Sequence, residues 1–218
     1  MLAVYLTIDA TNRQPSSFRK ARLANEKGAE LARILGDRFP EAHVLFNGTR
    51  FVRGWVEARH APETLVGLLE YLVDAWGLGR FAVGLALGPI PSVPDTGTWL
   101  QRLSEPALQS MRACGLARDA RVPLETAESG TEADPGVSAG LNLLLWLRSR
   151  WPAETRTVIE RAERASTLRA LAEELGISPP ALTQRLGRAG WRPYRHARRR
   201  LIQQLERAVR RKRSRAGP

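Results

Sequence analysis

The sequence contains little cysteine, histidine and lysine. Among its 218 residues are one cysteine, three histidines and three lysines. A single cysteine, Cys114, excludes an internal disulfide and a cysteine-rich zinc site, and the histidines stand far apart without cysteine or carboxylate partners at metal-ligand spacing. No apolar run approaches the roughly 20 residues of a membrane-spanning helix, and the opening residues lack the pattern of a secretory leader. We therefore expect a cytoplasmic protein that holds no metal ion and no cofactor.

Positive charge is concentrated in one part of the chain. The formal net charge is +12, yet residues 1–136 hold 15 basic and 16 acidic side chains, whereas residues 137–218 hold 19 basic and 6 acidic ones. A neutral part followed by a strongly cationic part predicts that a polyanionic partner meets the C-terminal residues.

The first half has the pattern of a small α+β domain. Alternating apolar residues predict strands, and apolar residues at helical spacing predict helices. Asn47 and Gly48 separate two strand-like runs and predict a tight hairpin. In chain order we expect a strand at 2–9, a helix at 16–35, strands at 42–46 and 51–56, a helix at 62–76, a strand at 81–87 and a further helix at 98–116. The first six elements, in the order βαββαβ, describe a ferredoxin-like sheet with its helices on one side.

An acidic stretch without periodicity follows this domain. Residues 119–136 contain small and acidic side chains, which cannot bury enough apolar surface to offset the entropy of ordering them. We interpret them as a flexible linker. It divides the chain into a ferredoxin-like domain at 1–118 and an all-α domain at 137–218.

The second half contains the spacing of a helix-turn-helix. Ala172 is small where two helices would cross closely, Gly176 allows a left-handed turn four residues later, and Leu182 anchors the next helix. Ser178 is placed to cap that helix, and Pro179 suits its first turn. Such a pair can present its second helix to a DNA major groove. The alternative is an ordinary helical hairpin inside a bundle.

The second helix of this pair offers side chains that suit DNA. Gln184 and Arg185 can bond to base edges, and serine and threonine hydroxyls can bind phosphates. A last helix at 194–210 carries further arginines, and the charged tail after it is either a solvated end or an arm that grips phosphates. The predicted DNA-binding residues are Ser178, Ala181, Thr183, Gln184, Arg185, Arg188, Arg192, Arg198, Arg199, Arg211, Lys212 and Arg213.

Four short stretches carry a family resemblance. They are residues 8–13 (IDATNR), residues 48–54 (GTRFVRG), residues 175–182 (LGISPPAL) and residues 185–191 (RLGRAGW). Through these stretches the whole chain resembles the SatD family of bacterial proteins, most closely in the last two. That family joins a domain similar to nucleotide-cyclase and GGDEF-type palm domains to a C-terminal helix-turn-helix. The resemblance implies a palm-like ferredoxin domain followed by a DNA-binding domain.

The chain departs from this family at the metal-binding acids of the palm. A cyclase-like palm needs carboxylates on adjacent strands to hold divalent cations against a triphosphate. Asp9 is either one of them or a residue of the strand-end turn, and Thr49 and Arg50 stand where the family has its acidic pair. This departure from the family predicts that the domain keeps its sheet but lacks two-metal catalysis. It leaves a candidate nucleotide site at Asp9, Arg50 and Arg53, with Gly84 permitting a close approach.

Together these patterns predict a DNA-binding transcriptional regulator that is not an enzyme. Its N-terminal domain would sense a small nucleotide ligand or drive self-association. A homodimer would place two helices on two half-sites of duplex DNA in the nucleoid. One alternative is a nucleotide-binding or nucleotide-processing palm protein. Another is a protein that binds RNA or DNA without sequence preference, which the charge alone would allow.

Overall fold

The computed structural model describes residues 2–9, 18–46, 51–90, 105–126 and 135–215. Within them the chain is a mixed α+β protein with one five-stranded sheet and eight helices. The strands are β1 (Leu2–Asp9), β2 (Ala42–Phe46), β3 (Phe51–Glu57), β4 (Ala82–Pro89) and β5 (Leu124–Thr126). The helices are α1 (Phe18–Arg38), α2 (Ala61–Trp76), α3 (Glu105–Ala120), α4 (Pro135–Ser149), α5 (Ala153–Arg164), α6 (Leu168–Glu174), α7 (Pro179–Arg188) and α8 (Trp191–Arg215).

The sheet has the strand order β2-β3-β1-β4-β5. The first four strands are antiparallel to their neighbours, and β5 runs parallel to β4. The predicted order of strands and helices in residues 2–90 is confirmed, and β1 and β2 have the predicted bounds. The expected hairpin residues Asn47 and Gly48 lie outside the described residues.

Helices α1, α3 and α8 end at other residues than the sequence predicts. Helix α8 was expected at 194–210 and spans Trp191–Arg215. Gly36 was expected to end α1, but the helix continues to Arg38. One glycine inside a helix costs only about 1 kcal/mol, and burial of Leu35 beside it favours continuation. Helix α3 reaches Ala120 instead of 116, and the predicted start at 98 lies outside the described residues.

The two faces of the sheet are covered by different helices. Successive side chains of a strand point to opposite faces. Val4, Leu6 and Ile8 of β1 share a buried core with Leu31 of α1 and Leu69 of α2. The other face of β1 and β4 lies against α3, where the Thr7 and Ser110 hydroxyl oxygens are 2.9 Å apart. Helices α1 and α2 thus share one face of the sheet, and α3, whose position the sequence analysis left open, covers the other.

Helix α3 lies on the β4 backbone itself. A Cβ atom added at Gly84 would stand 1.9 Å from the carbonyl oxygen of Ser110 and 2.2 Å from the amide nitrogen of Cys114. The small residues of this face of β4 thus serve helix packing. The expectation that Gly84 permits the close approach of a nucleotide is wrong, because the backbone of α3 occupies that space.

The expected linker contains part of the sheet. Residues 119–136 were predicted to be flexible, but β5 lies within them and pairs with β4. Leu124 is fully buried, and its backbone N–H donates to Asn142 Oδ1 (3.1 Å) while its carbonyl accepts from Asn142 Nδ2 (3.0 Å). A three-residue strand is too short to show periodicity, so only these long-range bonds reveal it. Residues 127–134 lie outside the described residues.

One continuous core runs through both predicted halves of the chain. Helix α2 packs against α4 and α8, and the buried leucines of α2 belong to the same apolar cluster as Leu141, Leu145 and Leu201. The helices of the second half are therefore attached directly to the helical layer of the sheet.

Charged side chains are buried where α2, α4 and α8 meet. We call Glu70, Asp74, Arg148, Tyr194 and Arg198 the α2–α8 junction. The Tyr194 hydroxyl donates to Glu70 Oε1 (2.5 Å), and Arg198 Nε donates to the same oxygen (2.8 Å). Arg148 Nε donates to both carboxylate oxygens of Asp74 at 3.0 Å. The junction thus joins the two halves of the sequence by charge-assisted hydrogen bonds as well as by apolar contact.

The surroundings of the α2–α8 junction shift the pKa values of Arg148 and Tyr194. Burial alone would lower the pKa of Arg148, but the hydrogen bond to Asp74 and the nearby charges raise it. Burial and the adjacent Glu70 carboxylate raise the pKa of Tyr194. Both groups therefore keep their protons at neutral pH, and the junction is held by a protonated Arg148 and a protonated Tyr194.

Candidate nucleic-acid interface

Helices α6 and α7 form the pair that the spacing predicted. Ala172 and Leu182 are fully buried, and Gly176 has φ of +65°, a value that favours glycine. Each helix begins at a capping hydroxyl, because Thr167 Oγ1 accepts from the Ala170 N–H (3.1 Å) and Ser178 Oγ accepts from the Ala181 N–H (3.4 Å). Local sequence chemistry thus fixes both helix starts and the turn between them.

Helix α7 has one buried and one exposed face. Leu182 and Leu186 are buried against the rest of the helical layer. Trp151 Nε1 donates to the carbonyl oxygen of Ala189 (2.7 Å) and so holds the C-terminal end of the helix. The exposed residues of α7 include Pro179 and Pro180 at its start and then Ala181, Thr183, Gln184, Arg185 and Arg188. The last five were all predicted to contact DNA, and each of them is exposed in the structure.

The first turn of α7 offers no free backbone donor. Pro179 and Pro180 have no N–H, the Ala181 N–H bonds to the Ser178 side chain, and the Leu182 N–H bonds to the Ser178 carbonyl (3.1 Å). A shallow, open depression lies on this turn and is lined by Pro179, Pro180, Ala181, Thr183 and Gln184. Contacts of this turn to a partner must therefore come from side chains.

The predicted arginines differ in their surroundings. Arg188, Arg192, Arg199 and Arg211 are exposed. Arg185 is also exposed, and its Nη2 lies 3.9 Å from Glu154 Oε2 of α5. The helical backbone of Lys212 and Arg213 is described, but their side chains are not.

Arg198 stands apart from the other predicted DNA-binding residues. Its guanidinium pairs with Glu70 and lies 3.9 Å from Glu63 Oε2, so it faces α2 and is largely buried. Its charge is balanced inside the protein. Spacing along α8 could not show this, because the partner carboxylates are more than a hundred residues away in sequence.

The candidate nucleotide residues lie on the sheet face that α3 partly covers. Asp9 is buried at the end of β1 and pairs in register with Phe51 of β3. Arg53 pairs with Thr7, and two residues further along β3 the Trp55 ring stacks on His43 with centroids 3.8 Å apart. Burial lowers the pKa of Arg53. Arg50 lies outside the described residues.

The sequence analysis missed the α2–α8 junction. A signal was present, since Glu70 and Asp74 are spaced four residues apart in an otherwise apolar helix pattern, and Arg148 ends an apolar run. Charges in such places are seldom buried without a partner. The identity of the partners, however, depends on how distant helices pack.

Metal-ligand clusters and membrane-spanning helices in the described residues, and similarity to known proteins, assign no further function to this chain. Across the described ranges no three histidine, cysteine, aspartate or glutamate side chains lie close enough to hold a metal ion. In those same ranges no helix has the length and apolar character that crossing a membrane requires. Comparisons with protein-family models, curated proteins and solved structures found no match.

Proposed function

We propose that this protein binds duplex DNA with α6 and α7 as a helix-turn-helix and acts as a transcriptional regulator. The observation that carries the proposal is the exposed face of α7, where Gln184, Arg185 and Arg188 stand together while two leucines fix the helix. Amide and guanidinium groups are the side chains best suited to base edges in the major groove.

The distribution of charge supports the same proposal. The 19 basic side chains of residues 137–218 outnumber 6 acidic ones, and exposed arginines continue from α7 along α8 through Arg192, Arg199 and Arg211. Cations along one helix can neutralise phosphates beside the groove that α7 enters. Phosphate contacts would supply affinity, and α7 would supply sequence preference.

The fold of the first part of the chain supports a companion proposal. We infer a ferredoxin-like, palm-like unit in residues 2–90, as the resemblance to the SatD family implies. Its support is the antiparallel order β2-β3-β1-β4 with one helix after β1 and one after β3. With Thr49 and Arg50 in the sequence between β2 and β3, where the family has its acidic pair, this unit would not catalyse phosphoryl chemistry and would serve sensing or self-association.

Replacing Gln184 or Arg185 by alanine is expected to weaken binding to a preferred site. Each loss of a good bidentate base contact should cost roughly 1–3 kcal/mol on that site and little on random DNA. The preferred site is first selected from random duplexes with the full chain, and dissociation constants are then measured at several salt concentrations. Arg33→Ala on α1 is the matched control, because it removes one exposed positive charge far along the chain from α7.

Two results would contradict the assignment of α7. Equal weakening on preferred and random DNA by both variants would favour a nucleic-acid-binding protein without sequence preference. A loss of binding as large for Arg33→Ala as for Arg185→Ala would show that net charge alone determines affinity.

A nucleotide-binding function is the second candidate, and Arg53 is the observation that favours it. Among the described residues its buried Nε has no hydrogen-bond partner, and burial lowers its pKa without an offsetting carboxylate. The stacked Trp55 and His43 rings lie beside it on the same face. A desolvated guanidinium near an aromatic surface suits a phosphate joined to a base.

Arg53→Ala is expected to weaken nucleotide binding about tenfold or more, the equivalent of one lost charge-assisted hydrogen bond. Binding of ATP and GTP to the full chain would be measured by titration calorimetry. Arg59→Ala, at an exposed arginine six residues later, is the control and should leave the affinity unchanged. If neither nucleotide binds the unaltered chain at millimolar concentration, this second function is excluded.

A further inference from the structure

The first turn of α7 is apolar at the surface that would face the DNA bases. Two prolines and an alanine form it, and its backbone donors are absent or already bonded to Ser178. Helix starts commonly bind phosphate through free N–H groups. This one cannot, so its chemistry suits an apolar contact better than an anion.

The open depression on this turn combines that apolar surface with two polar side chains. Pro179, Pro180 and Ala181 contribute only carbon atoms from their side chains, and Thr183 and Gln184 also line it. In the major groove the one apolar group that a base pair presents is the C5-methyl of thymine. Small aliphatic side chains are the groups that contact this methyl.

Gln184 lies three residues after Ala181, so the two side chains neighbour each other on one face of α7. A glutamine amide both donates and accepts, which matches N6 and N7 of adenine. Adenine and the thymine methyl are presented together by A·T pairs or by adjacent steps containing them. The first turn of α7 therefore carries one group complementary to the thymine methyl and one complementary to the adenine edge.

We propose that Pro180 and Ala181 read a thymine methyl group while Gln184 reads a neighbouring adenine, so that the preferred site contains A·T pairs under the first turn of α7. This inference rests on the proposed DNA-binding function and names the bases that the same helix prefers. Arg185 and Arg188, one turn further along, would contact other positions of the site.

The test removes one methyl group at a time from the DNA. The full chain is titrated with its selected duplex and with duplexes in which a single thymine is replaced by uracil, which pairs identically but lacks the methyl. At one or two positions affinity should fall about fourfold, the equivalent of one buried CH₂ group. Ala181→Gly should reduce this difference to less than twofold.

Ala170→Gly is the matched control variant. Ala170 occupies the third position of α6 and gives its N–H to a capping hydroxyl, as Ala181 does in α7. It should weaken its helix equally but leave the difference between thymine and uracil unchanged.

The outcomes separate this inference from the function on which it rests. Absence of any sequence preference would overturn the proposed regulator that recognises a DNA sequence through α7. Sequence preference without a loss at any uracil, or a loss that persists in Ala181→Gly, would overturn only the reading of thymine. The uracil series uses the unaltered chain, so this result does not depend on the folding of a variant.

Discussion

Asp74→Ala is expected to lower the free energy of unfolding by about 3 kcal/mol. The substitution leaves the Arg148 guanidinium, whose side chain is 8% exposed, without the carboxylate that neutralises it. Removing one partner of a buried ion pair costs about 3–5 kcal/mol, because the other charge stays buried. Glu160 Oε1, 3.5 Å from Arg148 Nη2, is partly exposed and compensates in part. We therefore expect a value at the lower end of that range.

Urea denaturation of the full chain would measure this effect. Asp37→Ala is the control, because Asp37 pairs with Arg33 across one turn of α1 and both side chains are about 70% exposed. Such a pair contributes about 0.3–0.5 kcal/mol. A loss below about 1 kcal/mol for Asp74→Ala would mean that the α2–α8 junction does not hold the two parts of the protein together.

Gly84→Ala is expected to destabilise the protein by about 3 kcal/mol or more. The added methyl would overlap the carbonyl oxygen of Ser110 and the amide nitrogen of Cys114. Both are backbone atoms of α3, so no side-chain rotation relieves the contact, and the helix must move away from β4. Insertion of a methyl group into a packed interior costs about 1–3 kcal/mol, and more when backbone must shift.

Gly115→Ala in α3, the helix that packs on Gly84, provides the control for Gly84→Ala. A Cβ atom at Gly115 would meet nothing within 4 Å. Alanine also favours a helix interior by about 1 kcal/mol over glycine. Gly115→Ala should therefore raise the midpoint of urea unfolding while Gly84→Ala lowers it. Similar midpoints for the two variants would contradict the close packing of α3 on β4.

Much of the fold could be predicted because local patterns determine it. The alternation in β1 and the apolar periodicity of α2 placed both elements within one residue of their observed bounds. β5 could not be predicted, because it is ordered by β4 and Asn142 and not by its own three residues. The packing of α3 on β4 could not be predicted either, because the small residues on that face of β4 leave room for a helix or for a ligand.

The candidate site could likewise be predicted only in part from the sequence. The exposed face of α7 follows from the spacing of its own leucines, so every residue predicted on it lies there. Arg198 and Arg148 are also arginines of helical segments, yet carboxylates of α2 hold both. Which arginine is buried depends on contacts between distant helices, and sequence spacing does not identify the partners in these contacts.

The continuous core has a thermodynamic consequence for any partner of α7. A ligand that binds only the folded state adds to stability by mass action, about 2.7 kcal/mol at a hundredfold excess over its dissociation constant. Because buried leucines of α2, α4 and α8 form one cluster, that added stability is shared by the sheet. Occupancy of the helical surface would thus protect distant strands from thermal opening, and substitutions in the sheet would alter apparent affinity without touching the bound molecule.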